Sequence, residues 1–113
     1  MSRETKFRAW NKESKQYVPP MTIQEMIYST KNEFSLEQLN EWFIFEQYTG
    51  LKDKNGVEIY EGDIVEFEDI VGEVHFLPQQ NGYAVITHNS DYRLVGWKYG
   101  VIGNIHENKE MLK

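Results

Sequence analysis

The side chains that could do chemistry in this 113-residue chain are three histidines, a run of carboxylates and a few lysines beside glycines. A catalytic zinc ion needs three protein ligands. His75, His88 and His106 are far apart, with no His-x-x-x-His spacing to bring two onto one face. Glu61, Asp63, Glu66, Glu68 and Asp69 form an acidic cluster that could hold a hard cation or share a proton. It lacks ligands at alternate positions around a central glycine. Strand alternation instead sends Glu66 and Glu68 to solvent, where charge discourages edge pairing. Gly50 and Gly56 sit near Lys52 and Lys54, but no Gly-x-x-x-x-Gly-Lys-Ser/Thr phosphate loop is present. Ser14, Ser29, Ser35 and Ser90 have no nucleophile-elbow context. The absence of cysteine excludes disulfides, thiolate metal sites and thiol nucleophiles. No catalytic residue, metal ligand or cofactor is assigned, and the chain does not read as an enzyme.

Aromatic residues make up 14% of the chain. Trp10 lies near Arg8 and Lys12, and Trp97 near Arg93 and Lys98, pairings that could stack a base or anchor a peptide. Size favours burial of Trp10, Trp42 and Trp97 in a core. If exposed, Trp10, Tyr60 and Trp97 are the residues that would form an interaction surface. The net charge of −6 and pI of about 5.0 oppose binding to a polyanion. The basic excess is confined to Arg3, Lys6, Arg8, Lys12 and Lys15, against Glu4 and Glu13. No window approaches the roughly 20 apolar residues of a membrane span. The N-terminus carries no apolar run of a signal peptide. A soluble, cytoplasmic protein is expected.

Elements must position these side chains. Lys6–Trp10 alternates, with Phe7 and Ala9 on one face and Lys6, Arg8 and Trp10 on the other. A polar turn and Gln16-Tyr17-Val18 complete a hairpin that Pro19-Pro20 should stop. Thr22 and Glu25 fit a capping box for a short helix over Thr22–Lys31. Ser35 and Gln38 fit another, for a helix at about 35–42. Asp53-Lys54-Asn55-Gly56 predicts a type I′ turn, Gly62 a special backbone conformation, and Asn81-Gly82 a further hairpin. Short strands follow at Val65–Phe67, Val74–Phe76, Tyr83–Thr87, Tyr92–Trp97 and Val101–Ile105. The pattern predicts a mainly β protein: a small SH3-like barrel with an N-terminal β-hairpin and one or two short helices. The expected division is a hairpin over 1–18, a linker with a short helix over 19–46 and the barrel over 47–113, all one domain.

Three blocks, Lys6–Glu13, Gln47–Val65 and Val101–Asn108, resemble in order the opening, centre and end of the YopX family of phage and prophage proteins. The resemblance implies a β-rich fold with an SH3-type barrel and a setting inside a bacterial host. It implies no activity, cofactor or catalytic residue. The expected function is a non-enzymatic interaction module that binds a host or phage protein. Self-association through an uncovered strand edge is a further expectation. The alternative is a nucleic-acid-associated small β-barrel, which would need a basic face from Arg3, Lys6, Arg8, Lys12 and Lys15.

Overall fold

A computed structural model describes residues 5–22, 24–25, 28 and 35–112. It is mainly β, with two compact units, Met1–Tyr48 and Thr49–Lys113. The division falls inside a long strand rather than in a linker.

In the N-terminal unit β1 (Lys6–Asn11) pairs antiparallel with β2 (Gln16–Thr22) and with β3 (Phe43–Lys52). The predicted hairpin is present, but Pro19-Pro20 does not stop β2. The strand continues to Thr22 because it lies at the edge of the sheet, where a missing N–H costs no ladder bond. Register steps from Phe7–Met21 to Ala9–Val18, so one extra residue on β2 is absorbed as a bulge at the prolines. The Asn11 side chain closes the hairpin turn by accepting from the Glu13 and Ser14 amides, at 2.9 and 3.0 Å.

Both capping boxes form. The Thr22 N–H donates to Glu25 Oε1 at 2.8 Å and the Glu25 N–H to Thr22 Oγ1 at 3.2 Å. Gln24, Glu25 and Tyr28 are helical; the rest of the expected Thr22–Lys31 helix lies outside the described residues. Helix α1 (Leu36–Trp42) carries the reciprocal Ser35–Gln38 box and buries Leu39. At two turns it depends on that packing.

Register also sets the charges of this unit. Arg8 stands opposite Glu46, and Trp10 stands opposite Ile44 and Tyr17. Arg8 Nε and the Tyr17 hydroxyl both donate to Glu46 Oε1, at 2.7 and 2.9 Å. The Arg8 guanidinium lies 4.2 Å from the Tyr17 ring centre, and Trp10 meets that ring edge-on at 5.0 Å. Lys6 Nζ sits 5.1 Å from the Tyr48 ring centre.

The C-terminal unit continues from β3, beside which runs β4 (Glu58–Tyr60). It then builds an antiparallel sheet from β5 (Asp63–Phe67), β6 (Ile70–Leu77), β7 (Gly82–Ile86), β8 (Asp91–Arg93) and β9 (Gly100–Asn104). The order is β8-β7-β6-β5-β9, so β8 and β9 are ends that do not pair with each other and the expected barrel is not closed. Ile59, Val65, Val74, Val85, Leu94 and Tyr99 form the core. A 3-10 turn at Lys109–Leu112 packs against β6.

The turn at 53–56 is not type I′. Gly56 takes φ 84 but Asn55 does not take positive φ, and the Gly56 N–H donates to the Asp53 carbonyl at 3.0 Å. Gly62, with φ 86, has the special conformation expected of it. At 78–81 the hairpin forms through a short 3-10 turn that ends on Asn81 in the left-handed region. The strand expected over Tyr92–Trp97 ends at Arg93, and Gly96–Lys98 is a 3-10 turn.

Substituting Glu46 by Leu leaves the guanidinium of Arg8 and the Tyr17 hydroxyl without this shared acceptor. We expect a loss of about 3 kcal/mol, with Arg8→Met/Glu46→Leu recovering most of it. Urea unfolding followed by tryptophan fluorescence reads both changes.

Candidate functional site

The three aromatic residues expected to make a surface go to different places. Trp10 is 7% exposed and Tyr60 4%, both packed as core. Trp97 is 72% exposed. Trp10 is held by its cross-strand partners. Tyr60 is fixed by its amide, which donates to Asp63 Oδ2 at 2.8 Å, and by its hydroxyl, which donates to Glu58 at 3.1 Å. Neither side chain presents a binding face, and the surface reduces to Trp97 and its neighbours.

Trp97 is exposed because of the residue before it. Gly96 passes so close to β3 that a Cβ there would lie 2.3 Å from the Lys52 carbonyl oxygen. Only glycine permits that approach. It turns the chain, and the next side chain points outward. The turn is closed by the Lys98 N–H donating to the Val95 carbonyl and the Tyr99 N–H donating to the Gly96 carbonyl, each at 3.1 Å. Lys54 then donates its amide to the Tyr99 carbonyl at 2.9 Å.

Asp53 fixes the same region from below. It is 5% exposed. Its Oδ1 accepts from the amides of Asn55 and Val57, at 2.8 and 2.9 Å, and its Oδ2 from the amide of Val101 at 2.9 Å. One carboxylate thus organises its own turn and ties it to β9. Burial pushes the Asp53 carboxyl up, but the amides of Val101, Val57 and Asn55, then the Lys54 charge, together hold it below its ordinary value of 3.8.

Around Trp97 the side chains form a strip of aromatics and cations. Lys98 Nζ lies 5.8 Å from the Trp97 ring centre and 5.4 Å from that of Phe67. Phe67 meets Tyr99 edge-on at 5.9 Å. Tyr99 is buried, and burial followed by the neighbouring Tyr92 pushes its hydroxyl above 10.0. Lys52, Lys54 and Lys98 are exposed along this turn, while the only acid among residues 52–54 has its charge spent on amides. Lys98 is the cation shown at this strip, and the exposed Glu66, Glu68 and Asp69 flank Phe67 in the sequence.

The other side chains weighed for chemistry lie apart. Asp63 is buried against the Tyr60 amide, while Glu66, Glu68 and Asp69 are exposed. His75 pairs with Glu73 on β6, His88 lies in the β7–β8 turn and His106 in the turn after β9. Among the described residues no three His, Asp or Glu side chains converge as a metal site. A groove of about 350 Å³ lies between Asn11–Glu13 and Glu41–Phe43. Its lysine, Lys12, is bound to the Asn40 carbonyl at 3.1 Å. A smaller cavity of about 180 Å³ brings His88 beside Val71, Ile86, Thr87 and Leu112, with no second titratable group among the described residues. Of the basic face imagined for nucleic acid, Arg8 pairs with Glu46, Lys6 lies over the Tyr48 ring, Lys12 donates to the Asn40 carbonyl, and Lys15 is exposed. Arg3 lies outside the described residues.

Sequence reasoning missed Asp53. An aspartate opening a turn that ends in glycine signals an Asx-capped turn. Nothing local signals its bond to Val101, 48 residues on.

A family model described as YopX protein matches residues 6–113. The chain belongs to the YopX family. It is similar over 99% of its length to the whole of the crystal structure of protein EF1440 from Enterococcus faecalis, with a TM-score of 0.64 and 24% identity, which shows a shared fold. No curated protein matches the chain.

Substituting Asp53 by Asn replaces one acceptor oxygen with a donor facing an amide. We expect a loss of about 1–3 kcal/mol at neutral pH. The depressed carboxyl stabilises the native state fully above its unfolded value near 3.8, and that contribution is lost as pH falls through the lower folded value. Thermal unfolding of the wild type should therefore soften more steeply below pH 4 than that of Asp53→Asn.

Proposed function

We propose that this YopX-family chain is a non-enzymatic interaction module, a phage or prophage accessory protein that acts in the host cytoplasm by binding a host or phage protein. The observation that carries this reading is a tryptophan 72% exposed on a turn locked by backbone hydrogen bonds. A large apolar side chain on a rigid mount is the usual form of an interface anchor, since little freedom is lost when it docks. Lys98 beside it would favour a carboxylate on the partner. The segment that fits is an acidic one with an apolar side chain to cover Trp97. The nucleic-acid alternative draws less support, because a stacking tryptophan needs a basic track and Lys6, Arg8 and Lys12 make contacts within the N-terminal unit.

Trp97→Ala removes the anchor, which lies outside the core cluster. Tagged wild-type and Trp97→Ala protein should unfold at the same temperature. Only the wild type should retain its partner from bacterial lysate, with affinity reduced more than tenfold in the variant. Retention that disappears with nuclease treatment would instead place a nucleic acid on the strip, and equal retention by both proteins would remove Trp97 from the interface.

A further inference from the structure

We infer that two copies of this chain join through the outer edge of β8, antiparallel about Tyr92, making one continuous sheet. The inference is independent of the Trp97 reading. Residues of an edge strand alternate between bonding the inner neighbour and facing away from it. On β8 the inward set is fixed at both ends: the Thr87 N–H donates to the Ser90 carbonyl at 3.0 Å and the Leu94 N–H to the Tyr83 carbonyl at 3.1 Å. Tyr92 lies between them in register with Val85. The N–H and C=O of Asp91 and Arg93 therefore point away from β7. β8 ends the sheet and all three of its residues are exposed. No proline blocks this edge, in contrast to β2.

The sequence Asp91-Tyr92-Arg93 is complementary to itself when reversed. A two-fold axis through Tyr92 sets Asp91 opposite Arg93 of the second copy, and Arg93 opposite Asp91. Both positions have outward backbone groups, so each pair is of the hydrogen-bonded kind and four N–H···O bonds form. The same two pairs bring opposite charges face to face on one side of the sheet, where direct cross-strand pairs are strongest. Neither Asp91 nor Arg93 has an ion pair among the described residues. On the other side Tyr92 faces Tyr92 at the closer, non-hydrogen-bonded spacing. Tyr92 is 39% exposed, and Phe76, 42% exposed, stacks edge-on against Tyr83 on the same face of the sheet. Covering this aromatic end adds apolar burial to the pairing. Such an interface is isologous and closes at two copies. With three residues on each side it is a weak contact of the transient class.

Charge exchange tests it with the full-length chain. Asp91→Arg sets Arg against Arg, and Arg93→Asp sets Asp against Asp. Sedimentation at rising concentration should give a wild-type dimer whose dissociation constant rises about tenfold or more in either variant. The double variant Asp91→Arg/Arg93→Asp should restore it. An equimolar mixture of the two single variants should also dimerise, since every cross-pair is then opposite in sign, a result that misfolding of either variant cannot produce. The amides of Asp91 and Arg93 should exchange slowly with solvent only at concentrations where the dimer forms. A monomer at several hundred micromolar overturns the inference, as does a dimer indifferent to both single variants. Protection of those amides only when a different protein is added also overturns it, and would assign the edge to a foreign strand.

Discussion

The C-terminal unit is organised around the carboxylate of Asp53. Three amides from Asn55, Val57 and Val101 converge on it, and none of them is adjacent in sequence to the aspartate. Two of these bonds shape a local turn. The third closes a chain segment of 48 residues. Closing so long a segment costs entropy, and a neutral hydrogen bond returns little net free energy. A buried anion accepting from several amides returns more, because each bond is charge-assisted in a low local dielectric. Above this point Lys54 joins Tyr99, Gly96 meets the Lys52 carbonyl, and the 3-10 turn at 96–98 follows. The turn that carries Trp97 is tied by backbone contacts to the segment that Asp53 organises.

The same economy governs the other buried acids. Glu46 serves Arg8 and Tyr17, and Asp63 serves the Tyr60 amide. Among the described residues no buried side-chain oxygen or nitrogen lacks a hydrogen-bond partner. In a chain of net charge −6 the interior consumes positive charge where it pairs with Glu46 and leaves most acids at the surface. On the C-terminal unit, the cation shown beside the exposed Trp97 is Lys98.

Much of this arrangement was legible in the chain, for stated reasons. The Thr22/Glu25 and Ser35/Gln38 boxes are local, and both form because side chain and amide are three residues apart whatever lies elsewhere. Alternation placed Lys6, Arg8 and Trp10 on one face, and pairing with Glu46 and Ile44 bears this out. Asn81-Gly82 and Gly62 mark turns where they were expected. What escaped was set by tertiary context. Pro19-Pro20 reads as a stop, but an edge position and a bulge admit it to a strand. Asn55-Gly56 reads as type I′, but the Asp53 side chain imposes another turn on the pair. Trp10 and Trp97 have similar cationic neighbours in sequence, and burial separates them only through cross-strand packing in one case and a glycine contact in the other.

Leu94 divides the connection from β7 to β9 into two kinds of surface. It is 5% exposed and its amide is bound to Tyr83. Before it, the chain lies flat at the sheet edge and offers backbone groups. After it, Gly96 draws the chain against β3 and the side chain of Trp97 is left in water. Neither surface is needed by the core. Trp97 lies outside the core cluster, and no side-chain bond ties Asp91 or Arg93 to the described residues. A tryptophan held in water gains none of the roughly 25 cal/mol per Å² that burial would return, and an unprotected edge invites wrong pairing.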